Sequence, residues 1–376
     1  MAKSKEFYTN LAMAIESYYA DEVTVRHFPV VGYIEPTTVC NLRCPSCPTG
    51  LNASVRERSL LSYNRFCSLI DEWGPYLFSL YMYNWGEPFL NKKFIEMVKY
   101  ASKCDIDIHT SSNLNVDLTP DDALRIVESG LSTLKVGIDG ITQATYEKYR
   151  RRGLLDKVVA NVRMISEAKK ALGMLTPVLK TFFHVFEHNE HELPYVIEFL
   201  RDIGIENAGL SSAFLPPSDE YGIKGPQKYK QFNVEVDYKK RIPKNSDTLK
   251  CSWLWFSMVY NPNGSISPCC GVTYEIDDFA LVENEGGILG AFNSPRYVYA
   301  RALRNRDPQV KYNSGMGLTE TEGRNKQVIC ERCPIPFVLN NFNPETLLSL
   351  LEQKYGTDGI NHDRLGLRDC VTNGRS

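Results

Sequence analysis

The sequence predicts an α/β protein with a parallel sheet at its centre. Between about residues 30 and 212, six short apolar runs alternate with amphipathic helical stretches, the pattern of repeated strand–helix crossovers. Helix-stopping glycines and a helix-opening Thr-Pro pair fall between the runs, where such a fold turns. The length of 376 residues suits one large α/β domain plus a smaller one, and 43% hydrophobic with 23% charged residues is ordinary for a globular chain.

Residues 1–29 read as an N-terminal helix, because Phe7, Leu11, Ile15 and Tyr18 recur at helical spacing. Val30–Glu35 is the first strand and Phe78–Tyr83 the second, followed by a helix with Phe94, Ile95, Val98 and Ala101 on one face. Ile106–Thr110 is the third strand. Thr119 and Pro120 then open a helix as N-cap and first helical residue, with Asp122 completing a capping box. Leu134–Ile138 is the fourth strand; Leu155, Val158, Val159, Val162 and Ile165 line a helix that stops at Gly173. Val178–Val185 is the fifth strand. Val196, Ile197, Leu200 and Ile203 face inward from the next helix, which ends at Gly204, and Glu206–Ser211 is the sixth strand. Residues 30–212 therefore read as a core domain, with sites expected on the loops at the carboxyl ends of its strands.

Residues 213–250 break the pattern. Pro216 and Pro217 open a polar stretch rich in lysine (Lys224, Lys228, Lys230, Lys239, Lys240, Lys244) that reads as a linker or a substrate-side loop. A solvated connection and a basic lip for a substrate phosphate or carboxylate are both open readings. Phe256–Tyr260 and Ser265–Pro268 then flank Asn261-Pro262-Asn263-Gly264, a hairpin signal. We place a small domain at 251–340 and a helical tail at 341–376.

A net charge near −2 creates no field favouring nucleic acid or a membrane surface. No apolar run reaches the roughly 18 residues that span a bilayer, and the N-terminal stripe is not the apolar region of a signal peptide. The expected location is cytoplasmic. Eleven cysteines without an export signal point to metal ligation rather than a disulfide framework. Cys67 and Cys104 stand alone and read as small buried hydrophobes; Cys370 has no assigned role.

Cys40, Cys44 and Cys47 form a C-x3-C-x2-C loop directly after the first strand. Three thiolates in eight residues suit a four-iron cluster that keeps one iron without a protein ligand. Zinc sites favour paired cysteines, a longer spacer and four ligands, and fit this loop poorly. After the second strand comes Asn84-Trp85-Gly86-Glu87-Pro88. Together these motifs resemble those of radical S-adenosylmethionine (radical SAM) enzymes, with Trp85 in place of the first glycine of the Gly-Gly-Glu-Pro element. The resemblance covers residues of about 30–335 and implies a partial (β/α)6 barrel. It also implies that the cluster binds the amino and carboxylate groups of SAM, that one electron splits the sulfonium, and that a 5′-deoxyadenosyl radical is released.

The same resemblance implies cofactor contacts. Gly86, Glu87 and Pro88 would meet the SAM ammonium, and Ser112 and Asn113 at the end of the third strand the ribose or carboxylate. Asp139 lies in Gly137-Ile138-Asp139-Gly140, where relatives often carry serine at the position of Gly137. Ser46 and Leu210 would approach the adenine. His184 ends the fifth strand and reads as a structural residue or as a group pointing into the barrel mouth.

Cys251, the Gly264-x4-Cys269 element and Cys330-x2-Cys333 look like the SPASM/twitch extension of this family. The twitch form fits better, which implies a second, auxiliary 4Fe–4S cluster held by Cys251, Cys269, Cys330 and Cys333. The spacings alone also permit a four-cysteine zinc site, and Cys270 competes with Cys269. Trp253 and Trp255 read as shielding around Cys251. An external one-electron donor such as flavodoxin or ferredoxin is an expected partner.

Three functions stay open at this point. One is hydrogen abstraction from a small polar metabolite (a sugar, aminocyclitol or nucleoside), giving dehydrogenation or epimerisation. The second is peptide or protein modification, and the third a non-catalytic iron–sulfur or zinc scaffold.

Overall fold

The structure is a computed structural model that describes residues 3–53, 56–213, 215–216, 218–233 and 250–304, together with 330, 349 and 353. Its chain divides into two compact units, residues 1–33, 69–79 and 237–376 in one, and 34–68 with 80–236 in the other. The expected α/β class with a mostly parallel sheet is what the structure shows.

The second unit carries the predicted alternation. Its strands are β2 (Ser79–Tyr81), β3 (Asp107–Ser112), β4 (Thr133–Val136), β5 (Val178–His184) and β6 (Asn207–Ser211), in the spatial order β2-β3-β4-β5-β6. β3, β4, β5 and β6 pair in parallel, with Ser111 opposite Lys135, Lys135 opposite Lys180, and His184 opposite Ser211. The crossovers run through α3 (Phe94–Ala101), α4 (Pro120–Val127), α5 (Gln143–Tyr149), α6 (Leu155–Leu172) and α7 (Leu193–Asp202).

Local chemistry explains the helix ends. The Thr119 side chain accepts from Asp122 N, and Asp122 accepts from Thr119 N, so both partners of the capping box are satisfied. Gly173 closes α6 in the left-handed region at φ 63°, where a β-carbon would be strained. On α7, Val196 and Leu200 are buried as expected, but Ile197 is more than a third exposed. It lies outside the apolar stripe that Val196, Leu200 and Ile203 complete.

β3, β4 and β5 each have one covered and one open face. Leu134, Val136, Leu179, Thr181 and Phe183 are buried, whereas Lys135, Lys180 and Phe182, at alternating positions, are not. The polar stretch after β6 is not simply solvated where it is described. Ile223 is buried in a cluster with Tyr149, Phe186 and Ala213, and Arg151 Nη2 donates to Tyr221 O at 2.8 Å.

In the first unit, α1 (Lys5–Tyr19) starts at Ser4, whose hydroxyl accepts from Phe7 N at 3.2 Å. Phe7, Leu11, Ile15 and Tyr18 are all buried, as the sequence predicts. α2 (Tyr63–Trp73) begins in the other unit and ends here with Trp73 Nε1 donating to Pro29 O at 2.8 Å. β1 (Val31–Ile34), β7 (Ser257–Tyr260), β8 (Ser265–Ser267) and β9 (Ala280–Leu281) are ordered β1-β7-β8-β9. β7 and β8 form the expected antiparallel hairpin, Tyr260 opposite Ile266, turning at Gly264 with φ 91°.

Short helices flank these strands: α8 (Trp253–Phe256) before β7, and α9 (Ile288–Phe292) and α10 (Pro295–Arg304) after β9. Arg301 of α10 is fully buried and donates to the carbonyls of Leu254, Val23 and Phe292, so its charge is met by backbone dipoles. No helix among the described residues is long and apolar enough to cross a membrane.

Candidate active site

The cysteine loop is built into the second unit by its backbone. Cys47 N donates to Cys44 O at 3.1 Å, Leu51 N to Cys47 O at 2.8 Å, and Arg43 N to Arg151 O at 3.1 Å. Gly50 is needed here because a β-carbon would collide with the backbone of Cys44.

The Gly-Glu-Pro turn is fastened to the same loop. Glu35 Oε1 accepts from Trp85 N at 2.7 Å and Gly86 N at 2.8 Å. Glu87 N donates to Val39 O at 2.8 Å, and a β-carbon on Gly86 would run into the carbonyl of Thr37. Sequence reasoning sees two motifs about 45 residues apart; they form one backbone-locked body. It misses Glu35 as the clamp, although an acid that ends a strand just before the cysteine loop was a readable signal.

Glu87 is buried, and both its oxygens are engaged. Oε1 accepts from Ser112 Oγ at 2.7 Å and Phe89 N at 3.2 Å, and Oε2 accepts from Asn113 N at 2.7 Å. Burial raises its carboxyl above the ordinary range, against those hydrogen bonds. In this arrangement the carboxylate positions the end of β3 and, through it, the first cysteine. Asn113 Nδ2 reaches Asn41 Oδ1 at 2.9 Å and Cys40 Sγ at 3.8 Å. The structure thus brings Gly86, Glu87, Pro88, Ser112 and Asn113 to one side of the cysteine loop.

A second group stands under Cys44. Asp139 is fully buried, and its Oδ2 accepts from Arg150 Nε at 2.6 Å. Its Oδ1 accepts from His184 N and faces His184 Nδ1, both at 2.8 Å. Burial pushes the Asp139 carboxyl up, but Arg150 and His184 more than offset it and hold it well below the usual carboxylate range. Arg150 Nη1 in turn approaches Cys44 Sγ at 4.0 Å.

Arg150 also accounts for Gly137, the departure from the family's serine. A β-carbon there would come within 2.8 Å of the guanidinium. Sequence reasoning gives Arg150 no role, because a partner eleven residues away across a loop leaves no periodic trace. His184 is tied to Asp139 and stands 6.4 Å from the Tyr149 ring. Ser46 stands beside Tyr149. Leu210 is half-buried in β6, opposite Phe183.

In the first unit, Cys269 is half-buried, and its thiol is raised well above the ordinary value by desolvation, then by the nearby thiols of Cys270, Cys330 and Cys251. Three of the four expected auxiliary ligands therefore lie near one another, with Cys270 beside them. Cys333 and Cys370 lie outside the described residues. Trp253 stacks at a tilt on Tyr33, 5.0 Å between ring centroids, and Trp255 Nε1 donates to Glu22 O at 3.0 Å. Cys67 and Cys104 are half-buried, not fully buried as expected.

Among the described residues, no three His, Cys, Asp or Glu side chains close around a single metal ion. A multi-iron cluster spreads its thiolates wider than one ion does. The donor chemistry of the loop fits such a group: three thiols on a fixed backbone, with an amide N–H aimed at one sulfur and a guanidinium at another. Burial first, and then the charges of Glu87, Cys44 and Cys47, push the Cys40 thiol up to about 12, a cost that a cationic centre removes.

Comparison with known proteins agrees with this geometry. A family model for the radical SAM superfamily matches residues 34–200. The chain resembles a tungsten-containing aldehyde ferredoxin oxidoreductase cofactor-modifying protein from Pyrococcus furiosus, 25% identical over 50% of this chain and 52% of that protein. It also resembles the mycofactocin maturase MftC of Mycolicibacterium smegmatis, 27% identical over 36% of this chain and 33% of that one. The chain thus spans about half or less of the curated relatives it matches.

The solved structure of native anSMEcpe with bound AdoMet superposes with a TM-score of 0.50 at 13% identity, covering 71% of this chain and 81% of that one. That likeness speaks for the fold alone.

Proposed function

We propose that this chain is a radical SAM enzyme that cleaves S-adenosylmethionine reductively and abstracts hydrogen from a small polar substrate, giving dehydrogenation or epimerisation. The observation that carries the reading is the backbone lock between the Cys40–Cys47 loop and the Gly86-Glu87-Pro88 turn, made by Glu35, Val39 and the missing β-carbon of Gly86. Cys40, Cys44 and Cys47 would hold a 4Fe–4S cluster, which when bound delivers one electron to the sulfonium of SAM and so yields the 5′-deoxyadenosyl radical.

The chain's own residues do the positioning. Glu87 holds Ser112 and Asn113 in place, and Asn113 and Arg150 direct N–H groups at two of the sulfurs. Asp139 fixes Arg150 and His184, which leaves His184 Nε2 directed away from the carboxylate. Ser46 and Leu210 belong to the same proposal as adenine contacts.

Cys251, Cys269, Cys330 and Cys333 would carry an auxiliary cluster of the SPASM/twitch kind, supported by the mutual proximity of the first three. An external electron donor such as flavodoxin or ferredoxin supplies the reducing equivalent. The name of a further relative, the PqqA peptide cyclase of Bradyrhizobium diazoefficiens, 26% identical over 46% of this chain and 44% of that protein, favours peptide modification as the second reading.

The experiment is anaerobic reconstitution with iron and sulfide, reduction, and addition of SAM. We expect 5′-deoxyadenosine, and its loss when any of the three loop cysteines is replaced by alanine. A protein that takes up zinc, contains no iron and leaves SAM intact refutes the reading.

A further inference from the structure

The open face of the parallel sheet carries a feature that the cluster chemistry does not use. Lys135 on β4 and Lys180 on β5 are direct register partners, so their backbones stand about 5 Å apart. Both side chains are half-buried on the open face, alternating with the buried Leu134, Val136, Leu179 and Thr181. Two like charges opposite one another on a sheet repel. Among the described residues neither lysine forms a hydrogen bond or an ion pair. The carboxylate nearest in effect, Asp139, is already committed to Arg150 and His184.

This face is also the one that looks at the cysteine loop. Gly137 follows Lys135 by two residues and so shares its face. Its missing β-carbon makes room for the Arg150 guanidinium, which itself reaches Cys44. Lys135 therefore lies one pleat repeat, roughly 7 Å, along the strand from Gly137, where the guanidinium packs. Phe182, two residues after Lys180, presents an exposed ring on the same face, with Lys135 Nζ 5.0 Å from its centroid. Burial, and then repulsion by Arg150 and Lys180, lowers the Lys135 pKa, so the face already strains to hold its own cations.

We propose that Lys135 and Lys180 form an oxyanion seat that holds a phosphate or carboxylate group of the substrate, with the Phe182 ring as its apolar floor. This rests on the radical SAM reading for the word substrate, and adds the substrate class: an acid anion rather than a neutral sugar or aminocyclitol. An anion between the two ammonium groups removes their repulsion and gives each a partner, and lysine binds phosphate and carboxylate as a point charge without a demanding geometry.

The test needs neither SAM nor turnover, so its outcome is separate from that of the deoxyadenosine assay. Full-length protein is labelled with a limiting amine acylating reagent, and the rate at each lysine is read by mass spectrometry. Inorganic phosphate or acetate is the added probe, and exposed Lys92 is the internal reference.

We expect labelling of Lys135 and Lys180 to slow by about threefold or more at probe concentrations a few times the dissociation constant, with Lys92 unchanged. Protection by phosphate alone assigns a phosphorylated substrate, and protection by acetate a carboxylate. No protection by either probe overturns the proposal. A second measurement is equilibrium dialysis of radioactive phosphate and acetate against Lys135→Met and Lys180→Met, with native far-UV circular dichroism as the folding check. Binding of whichever anion protects must fall by about tenfold in each variant; binding equal to that of the unaltered protein also overturns it.

Discussion

The two cysteine groups of this chain are built differently. Cys40, Cys44 and Cys47 sit within eight residues on a loop fastened by main-chain bonds, with Asn113 and Arg150 directed at two of the sulfurs. Cys251, Cys269 and Cys330 come from distant parts of the chain, and burial dominates the chemistry of Cys269. The first group is a seat designed from the backbone outward, short one ligand and surrounded by polar groups that can hold a cofactor. The second is a set of half-buried thiols gathered around Cys269, with no such fastened loop beneath it among the described residues. The contrast teaches that the number of cysteines says less than what stands behind the sulfurs.

The largest effect should come from removing a loop thiol. Cys44→Ala is expected to lower 5′-deoxyadenosine formation by about 10³-fold or more, whereas Cys269→Ala should lower iron content but retain some SAM cleavage. Equal losses in both variants would erase the distinction between the groups.

Next is the charge pair behind Cys44. Asp139→Asn leaves Arg150 buried without its partner and should cost about 3–5 kcal/mol in urea unfolding. The sign with pH follows from the depressed carboxyl. The stabilisation is fully present above the unfolded pKa of about 4 and is lost as pH falls through the lower folded value. The unaltered protein should therefore lose stability on acidification below about pH 4 more steeply than the variant.

Gly86→Ala tests the lock itself. The collision with Thr37 O predicts about 2–4 kcal/mol of destabilisation, read as a fall in thermal midpoint. A variant of unchanged stability would mean that the turn and the cysteine loop are separate bodies. The smallest effect serves as a baseline away from either group: Thr119→Ala removes the α4 cap and should cost about 1 kcal/mol with SAM cleavage unaltered.

Much of the second unit was legible because its signals are local. The strands announce themselves by apolar runs, and Thr119-Pro120 and Gly173 mark helix ends by chemistry that acts within four residues. Boundaries moved where pairing decided them. β3 runs on to Ser112 because Gly137 N continues the ladder to Ser112 O at 2.9 Å, a bond to a residue 25 positions away. The site divided in the same way. Spacing exposed the three loop cysteines and the Gly-Glu-Pro turn, but not Glu35 or Arg150, whose roles exist only after the strands are assembled. The lysine row was invisible for the same reason, since Lys135 and Lys180 meet only through the β4–β5 register.

The clamp made by Glu35 has a bearing on what chelation does to the site. Its carboxylate gathers Trp85 N and Gly86 N with ordinary hydrogen bonds that need no metal, and Val39 O takes Glu87 N in the same way. Domains nucleated by a metal fold only when it arrives. Here these bonds involve no metal, so stripping iron and sulfide should leave the turn fastened to the cysteine loop.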